Sequence, residues 1–214
     1  MSRFQRDSRR GWDDPLCLSA EGWRNRSAPS EGNGLGCAAC LRQAESGGGM
    51  TWQVGILTIS DTRSQGLRDD TATPLIQRLL EDAGFAVCET VLVPDECQQI
   101  QEQLIGFTDQ RKVSLVITTG GTGCGPRDVT PEATRRVIER EVPGLPEAMR
   151  ASTATRNPLA RLSRAVAGLR GGTLIINLPG NPQGAKECLR VLLPLLPHAL
   201  EMMEGKSHVL QRRR

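Results

Sequence analysis

Short apolar runs rich in β-branched residues recur along this chain, and the segments between them place their apolar residues at helical spacing. Val54, Ile56, Leu57 and Ile59 mark a buried strand over residues 54–59. Leu75, Ile76, Leu79 and Leu80 then share one face of a helix over 74–83, which Gly84 ends. Val87, Glu89, Val91 and Val93 suggest a strand of mixed exposure, followed by a helix over 95–107 with Ile100, Leu104 and Ile105 inward. A strand over 113–117, helices over 131–141 and from Gly144, a strand over 173–178 and a helix over 183–204 that restarts at Pro194 continue the pattern. Strands that are apolar on both faces and alternate with helices fold as a three-layer α/β/α domain with a mostly parallel sheet.

In such sheets ligands gather beyond the carboxyl ends of the strands, so those ends are where chemistry is expected. They carry Ser60-Asp61, Pro94-Asp95-Glu96, the stretch from Thr118 to Glu132, and Pro179-Gly180-Asn181-Pro182. The longest of these reads TTGGTGCGPRDVTPE, in which glycines let backbone N–H groups approach an anion without interference from Cβ atoms. Thr130 sits where an N-cap belongs, Pro131 at the first helical position and Glu132 in the first turn, so a helix is expected to point its positive end at the glycines. An anion site is the natural reading. Neither GxxxxGK[ST] nor a strand-linked GxGxxG is present, which disfavours the P-loop and dinucleotide classes.

Each residue also has a purely structural reading. Asp95 stands three residues before Gln98, the spacing of a capping box in which the carboxylate would serve only a backbone N–H. Asp128 could tie its loop to the Thr130 turn, Ser60-Asp61 could be a strand-end turn, Ser163 and Arg164 a surface pair, and Thr122 a plain loop hydroxyl.

Among the 214 residues, 27 Lys+Arg face 24 Asp+Glu, a formal net charge of +3, and aromatics make up 3% with no Tyr. That balance gives nucleic-acid binding little support. No apolar stretch approaches the roughly 20 residues of a membrane span. Residues 1–49 are rich in Gly, Ser and Arg and are expected to be a largely disordered extension ending in the linker-like Ser46-Gly47-Gly48-Gly49; residues 50–206 form the domain and 207–214 a basic tail. Cys37 and Cys40 have the spacing of half a zinc site without a second half, and an odd count of seven cysteines without a secretory signal fits a reducing, cytoplasmic setting.

The stretches at 118–134, VIEREVPG at 137–144, LSRAVAGLRG at 162–171 and TLIINLPGNP at 173–182, with SDT after the first strand and PDE after the second, together resemble one family. It is the molybdenum-cofactor biosynthesis family that includes Mog-type molybdopterin adenylyltransferases and the gephyrin G domain, and the likeness spans residues 52–205. The resemblance implies a molybdopterin-binding-like fold, a homotrimer, and transfer of AMP from ATP to the terminal phosphate of molybdopterin with release of pyrophosphate, using Mg²⁺. It implies Asp95 and Asp128 as the essential acids, with Asp128 at the metal. It assigns substrate binding to Ser60, Asp61, Thr119, Gly120, Gly121, Thr122, Gly123, Ser163, Pro179, Gly180, Asn181 and Pro182, and it suggests the molybdate-insertion protein of the pathway as a partner. Within the same fold, a pterin-binding or molybdate-inserting paralogue and a non-catalytic gephyrin-like scaffold are the alternatives. One departure stands out: many relatives carry a D.SG element after the first strand, whereas this chain reads Arg68-Asp69-Asp70-Thr71-Ala72 with no Gly there, and Cys124-Gly125 fall in a variable part of the glycine loop.

Overall fold

A computed structural model describes residues 51–205; the expectations for 1–49, the Cys37/Cys40 pair and the 207–214 tail lie outside the described residues. Strand β1 (Gln53–Ile59) leads through a single helical turn α1 (Asp61–Ser64) to α2 (Ala72–Asp82), β2 (Ala86–Val93) and α3 (Cys97–Ile105). A π-helical turn (Gly106–Gln110) precedes β3 (Leu115–Thr119) and α4 (Thr130–Val137), followed by β4 (Arg140–Glu141), α5 (Gly144–Thr153) and a 3₁₀ turn (Pro158–Leu162). Then come β5 (Ala167–Arg170), β6 (Thr173–Leu178), α6 (Pro182–Leu192) and α7 (Leu196–Met203). The sheet runs β2-β1-β3-β6-β5-β4, with β2, β1, β3 and β6 mutually parallel and β5 and β4 antiparallel at one edge.

Alternation along the central strands supplies two cores. Val54, Ile56, Leu115, Ile117, Leu174 and Ile176 face one layer with Ile76, Leu80 and Leu189, while Leu57, Ile59, Val116 and Ile175 face the other with Ile100, Leu104 and Phe107. Gly55 is required where it is, because a methyl group there would lie 2.5 Å from the Phe107 ring that packs against β1.

Three local expectations are corrected. The helix expected over 131–141 ends at Val137; Ile138 turns extended and Arg140–Glu141 pair with β5, whose Gly168 accommodates them because a methyl there would meet Ile138 Cδ1 at 2.5 Å and Arg140 O at 2.7 Å. Thr130 is not the N-cap but the first helical residue, with Val129 before it, and its hydroxyl donates to Gly120 O at 2.9 Å. Strand β3 lies two residues later than expected, because the hydroxyls of its last two threonines are satisfied inside: Thr118 Oγ1 accepts from Asn177 Nδ2 at 2.9 Å and Thr119 Oγ1 donates to Pro179 O at 3.0 Å.

After β1 the chain moves outward to β2, then returns past β1 to β3 and on to β6. The direction of winding therefore reverses between β1 and β3, and the loops at their carboxyl ends diverge to leave a crevice.

Candidate active site

The crevice is a cleft of about 200 Å³ lined by Ile59, Ser60, Thr62, Arg63, Arg68, Asp95, Gly120, Gly121, Asp128 and Gly180. All four strand-end loops named from the sequence contribute to it. Its back wall is the turn at Gly120 and Gly121, with φ of 111° and 60°, values that an L side chain rarely adopts. Any side chain at Gly120 would collide with Ile59 O, and one at Gly121 would meet Thr130 Oγ1 and come within 2.8 Å of Asp95 Oδ1. The glycines thus bring the β3 loop, the Asp95 carboxylate and the start of α4 into direct contact. Gly180 closes the third side, since a methyl there would stand 3.1 Å from the Gly120 Cα.

Asp95 does not cap α3. Glu96 occupies the N-cap position, without a side-chain cap, and the Asp95 carboxylate turns the other way to accept the Asp61 N–H at 2.9 Å. Asp61 returns the bond, its Oδ1 accepting the Asp95 N–H at 3.0 Å. This reciprocal clasp joins the loops after β1 and β2. Arg127 covers it from outside, donating Nε and Nη2 to the two Asp61 oxygens at 3.0 Å each and Nη2 to Glu96 Oε1 at 2.8 Å. The two acids respond in opposite senses. The Arg127 hydrogen bonds, with the Asp95 N–H, hold the Asp61 carboxyl below its ordinary range, whereas burial and then the nearby Asp61 and Asp128 charges push Asp95 upward.

Asp128 sits on a tight turn in which its N–H donates to Gly125 O at 3.1 Å and its Oδ2 accepts the Gly125 N–H at 2.7 Å. The carboxylate is therefore bound to Gly125 and not to the Thr130 turn, and Gly125 is no idle member of the loop. Methyl groups at Gly123 and Gly125 would lie 2.9 Å and 2.7 Å from Asp128 Oδ2. Arg164 fastens the same loop from below: Nε donates to Gly123 O at 2.6 Å, Nη2 to Asp128 O, and Nη1 pairs with Glu132. Its own N–H donates to Thr122 O at 3.0 Å.

Of the residues expected at the site, Ser60, Asp95, Gly120, Gly121, Asp128 and Gly180 face the cleft. The others support it. Thr119 is fully buried and Thr122 nearly so, Pro179 O is taken by Thr119, and Asn181 Oδ1 caps α6 through the Gln183 and Gly184 N–H groups at 2.9 Å and 3.1 Å with Pro182 in the first turn. Ser163 Oγ accepts from Ala165 N–H at 3.3 Å and lies outside the cleft lining, and Gly123 acts through its carbonyl on Arg164. The sequence reading missed Arg63, Arg68, Gly125 and Arg127; only the clustering of arginine beside the SDT and PRD stretches hinted at them. At the departure from D.SG, Asp70 accepts the Ala72 and Thr73 N–H groups at 3.1 Å each and the Thr73 hydroxyl, so that it opens α2 itself.

No three His, Cys, Asp or Glu side chains among the described residues form a metal cage. The donor set fits a different kind of site. Mg²⁺ takes one or two protein carboxylates and completes its octahedron with water and phosphate oxygens, and Asp95 and Asp128 face one cleft close enough for the Asp128 charge to be felt at Asp95.

Residues 55–198 match the family described as a probable molybdopterin binding domain. The chain belongs to this family. The molybdopterin adenylyltransferase of Helicobacter pylori is 40% identical over 157 residues, covering 72% of this chain and 89% of that protein. The Drosophila melanogaster molybdenum cofactor synthesis protein cinnamon is 42% identical over 151 residues, 70% of this chain, which spans only 25% of that much longer protein. Among solved structures, the molybdopterin biosynthesis enzyme MoaB of Thermus thermophilus superposes with a TM-score of 0.70 at 50% identity, covering 73% of this chain and 98% of that one.

Proposed function

We propose that the protein is a molybdopterin adenylyltransferase, moving AMP from ATP to the terminal phosphate of molybdopterin. The observation that carries this reading is the placement of Asp95 and Asp128 on one cleft with the Gly120–Gly121 turn, in a chain that spans 89% of an adenylyltransferase at 40% identity. An oxygen of the acceptor's terminal phosphate attacks the α-phosphorus of ATP; the new P–O bond forms as the bond to the β-phosphate bridging oxygen breaks, and pyrophosphate departs with that electron pair. No proton need move. The chain's task is to bring two polyanions together in line and to neutralise the charge they share.

The Gly120 N–H is taken by Leu178 O at 3.2 Å, so the glycine turn offers the Gly121 N–H without side-chain obstruction, and α4 starts beside it with Glu132 turned to Arg164. Asp128, set by Gly125 and Arg164, and Asp95, set by Asp61, would hold Mg²⁺ between them and the phosphates. Bound there, the metal would supply Lewis-acid charge neutralisation. Ser60 and the Asp61 clasp form the wall where the acceptor would enter, and Gly180 the wall on the nucleotide side. The homotrimer and the hand-over to a molybdate-insertion protein belong to the same reading, the first testable by sedimentation.

Purified protein incubated with ATP, Mg²⁺ and molybdopterin should form adenylylated pterin and pyrophosphate, and Asp128→Ala should reduce the rate at least about 100-fold while the circular dichroism spectrum is unchanged. Binding of molybdopterin without any adenylylated product from the wild type would favour the pterin-binding paralogue instead.

A further inference from the structure

We infer that Arg63 is a phosphate-binding residue of the cleft, an inference that rests on the reading above and specifies it. Arg63 is 8% exposed and is one of the ten residues lining the cleft. A guanidinium withdrawn that far from water is ordinarily met by close acceptors on its fork. Here the nearest carboxylate oxygen, Asp70 Oδ1, is 3.7 Å from Nη1, and Nη2 reaches Gly180 O at 3.3 Å. Asp70 is already occupied by the two N–H groups and the hydroxyl at the start of α2. Arg164, which clamps the Asp128 loop of the same cleft, shows what a purely structural arginine does: its fork engages Gly123 O at 2.6 Å, Asp128 O and Glu132. Among the described residues the only buried side-chain polar atom without a partner is Glu132 Oε2, so the Arg63 donors not used by Gly180 open onto the cleft.

Position adds to this. Arg63 follows β1 and reaches the loop after β6, and β3 lies between those two strands in the sheet. The side chain therefore spans the mouth of β3, where Gly120 and Gly121 expose their backbone. A phosphate seated on that turn has the Gly121 N–H on one side and, on the other, a fixed guanidinium whose nearest carboxylate stands 3.7 Å off, a pairing suited to a planar fork. The cleft's acids, Asp95 and Asp128, then remain for the metal, and Arg63 takes phosphate oxygens that the metal does not. Phosphate oxygens come from two sources, the triphosphate of ATP and the terminal phosphate of the acceptor.

The test uses the full chain with Arg63→Lys and Arg63→Gln. Calorimetric titration with pyrophosphate and with ATP–Mg²⁺ reads the nucleotide arm, and the KM for molybdopterin at saturating ATP reads the acceptor arm. Binding in one arm should weaken by about 10- to 100-fold in Arg63→Gln, with kcat at saturation changed less than KM, and Arg63→Lys should recover part of it. The arm that moves identifies the source. Should Arg63→Gln fail to fold, Arg63→Lys decides, because it keeps the charge and loses the fork. Folded variants that bind pyrophosphate, ATP and molybdopterin within about twofold of wild type overturn the inference. A wild-type protein that makes no adenylylated pterin would refute the proposed reaction, and the pyrophosphate titration would still test Arg63.

Discussion

Arg164→Ala should loosen the Asp128 loop while leaving the sheet intact. The substitution deletes a donor to Gly123 O at 2.6 Å, a donor to Asp128 O and an ion pair to Glu132, but keeps the Arg164 N–H bond to Thr122 O. Each carbonyl bond to a half-buried guanidinium is worth about 1 kcal/mol net. The ion pair, with side chains 36% and 41% exposed, adds at most about 1 kcal/mol. The sum is about 2–3 kcal/mol, and at roughly 2–4 °C per kcal/mol for a domain of this size the thermal midpoint should fall by roughly 4–12 °C. Because Asp128 is held through its own carbonyl, kcat for adenylyl transfer should fall by about 10- to 100-fold, a displacement effect at the reacting groups.

A double-mutant cycle with Glu132→Gln separates this account from general damage. Glu132 Oε2 has no partner even with Arg164 in place, so losing the guanidinium strands a carboxylate. Glu132→Gln should therefore cost less stability in the Arg164→Ala background than in the wild type, by about 0.5–1 kcal/mol of coupling. Calorimetry on the four proteins measures it. Strict additivity, or an Arg164→Ala protein with wild-type melting and wild-type kcat, would refute the clamp.

Gly125→Ala places a methyl 2.7 Å from Asp128 Oδ2 on an exposed turn, so the carboxylate must shift while the fold does not. Steady-state kinetics should show kcat down by about 10- to 100-fold, and calorimetry a stability change under about 1 kcal/mol; the reverse pattern would contradict the placement of Asp128. Asp109, held by Arg170 Nε and Nη2 at 2.9 Å and 2.6 Å and by the Thr108 hydroxyl, is lowered from 3.8 to about 2. Its pKa is depressed on folding, so its contribution is present above about pH 4 and lost as pH falls toward 2. With Asp109 45% exposed, screening limits that contribution to at most about 1 kcal/mol, and Asp109→Asn should match wild-type stability near pH 2 but fall below it at neutral pH in urea titrations.

The central strands were legible because both faces of β1, β3 and β6 are buried, and a run of β-branched apolar residues has few other solutions. Strands β4 and β5 were not, since two and four residues carry no period and Gly168 reads as a turn until Ile138 and Arg140 are packed against it. Glycine spacing and the carboxylates pointed to the cleft, yet local rules misread how the acids are held. Asp95 has a capping-box spacing to Gln98, but its actual partner, Asp61, is 34 residues away, and local patterning has no access to that pairing.

The loop that lacks D.SG shows the same dependence on distant partners, and it ties the departure to Arg63. Here Asp70 opens the helix, and the Thr73 hydroxyl bonds both Asp70 and the buried Thr58 of β1, which fixes the carboxylate 3.7 Å from Arg63. A carboxylate so engaged is depressed despite its burial, through the Thr73 hydroxyl and N–H bonds and the Arg63 charge. It can hold the guanidinium in place over the cleft from 3.7 Å without occupying its hydrogen-bond donors. Asp70 and Thr73 together therefore fix the cation at the mouth of β3 from the start of α2.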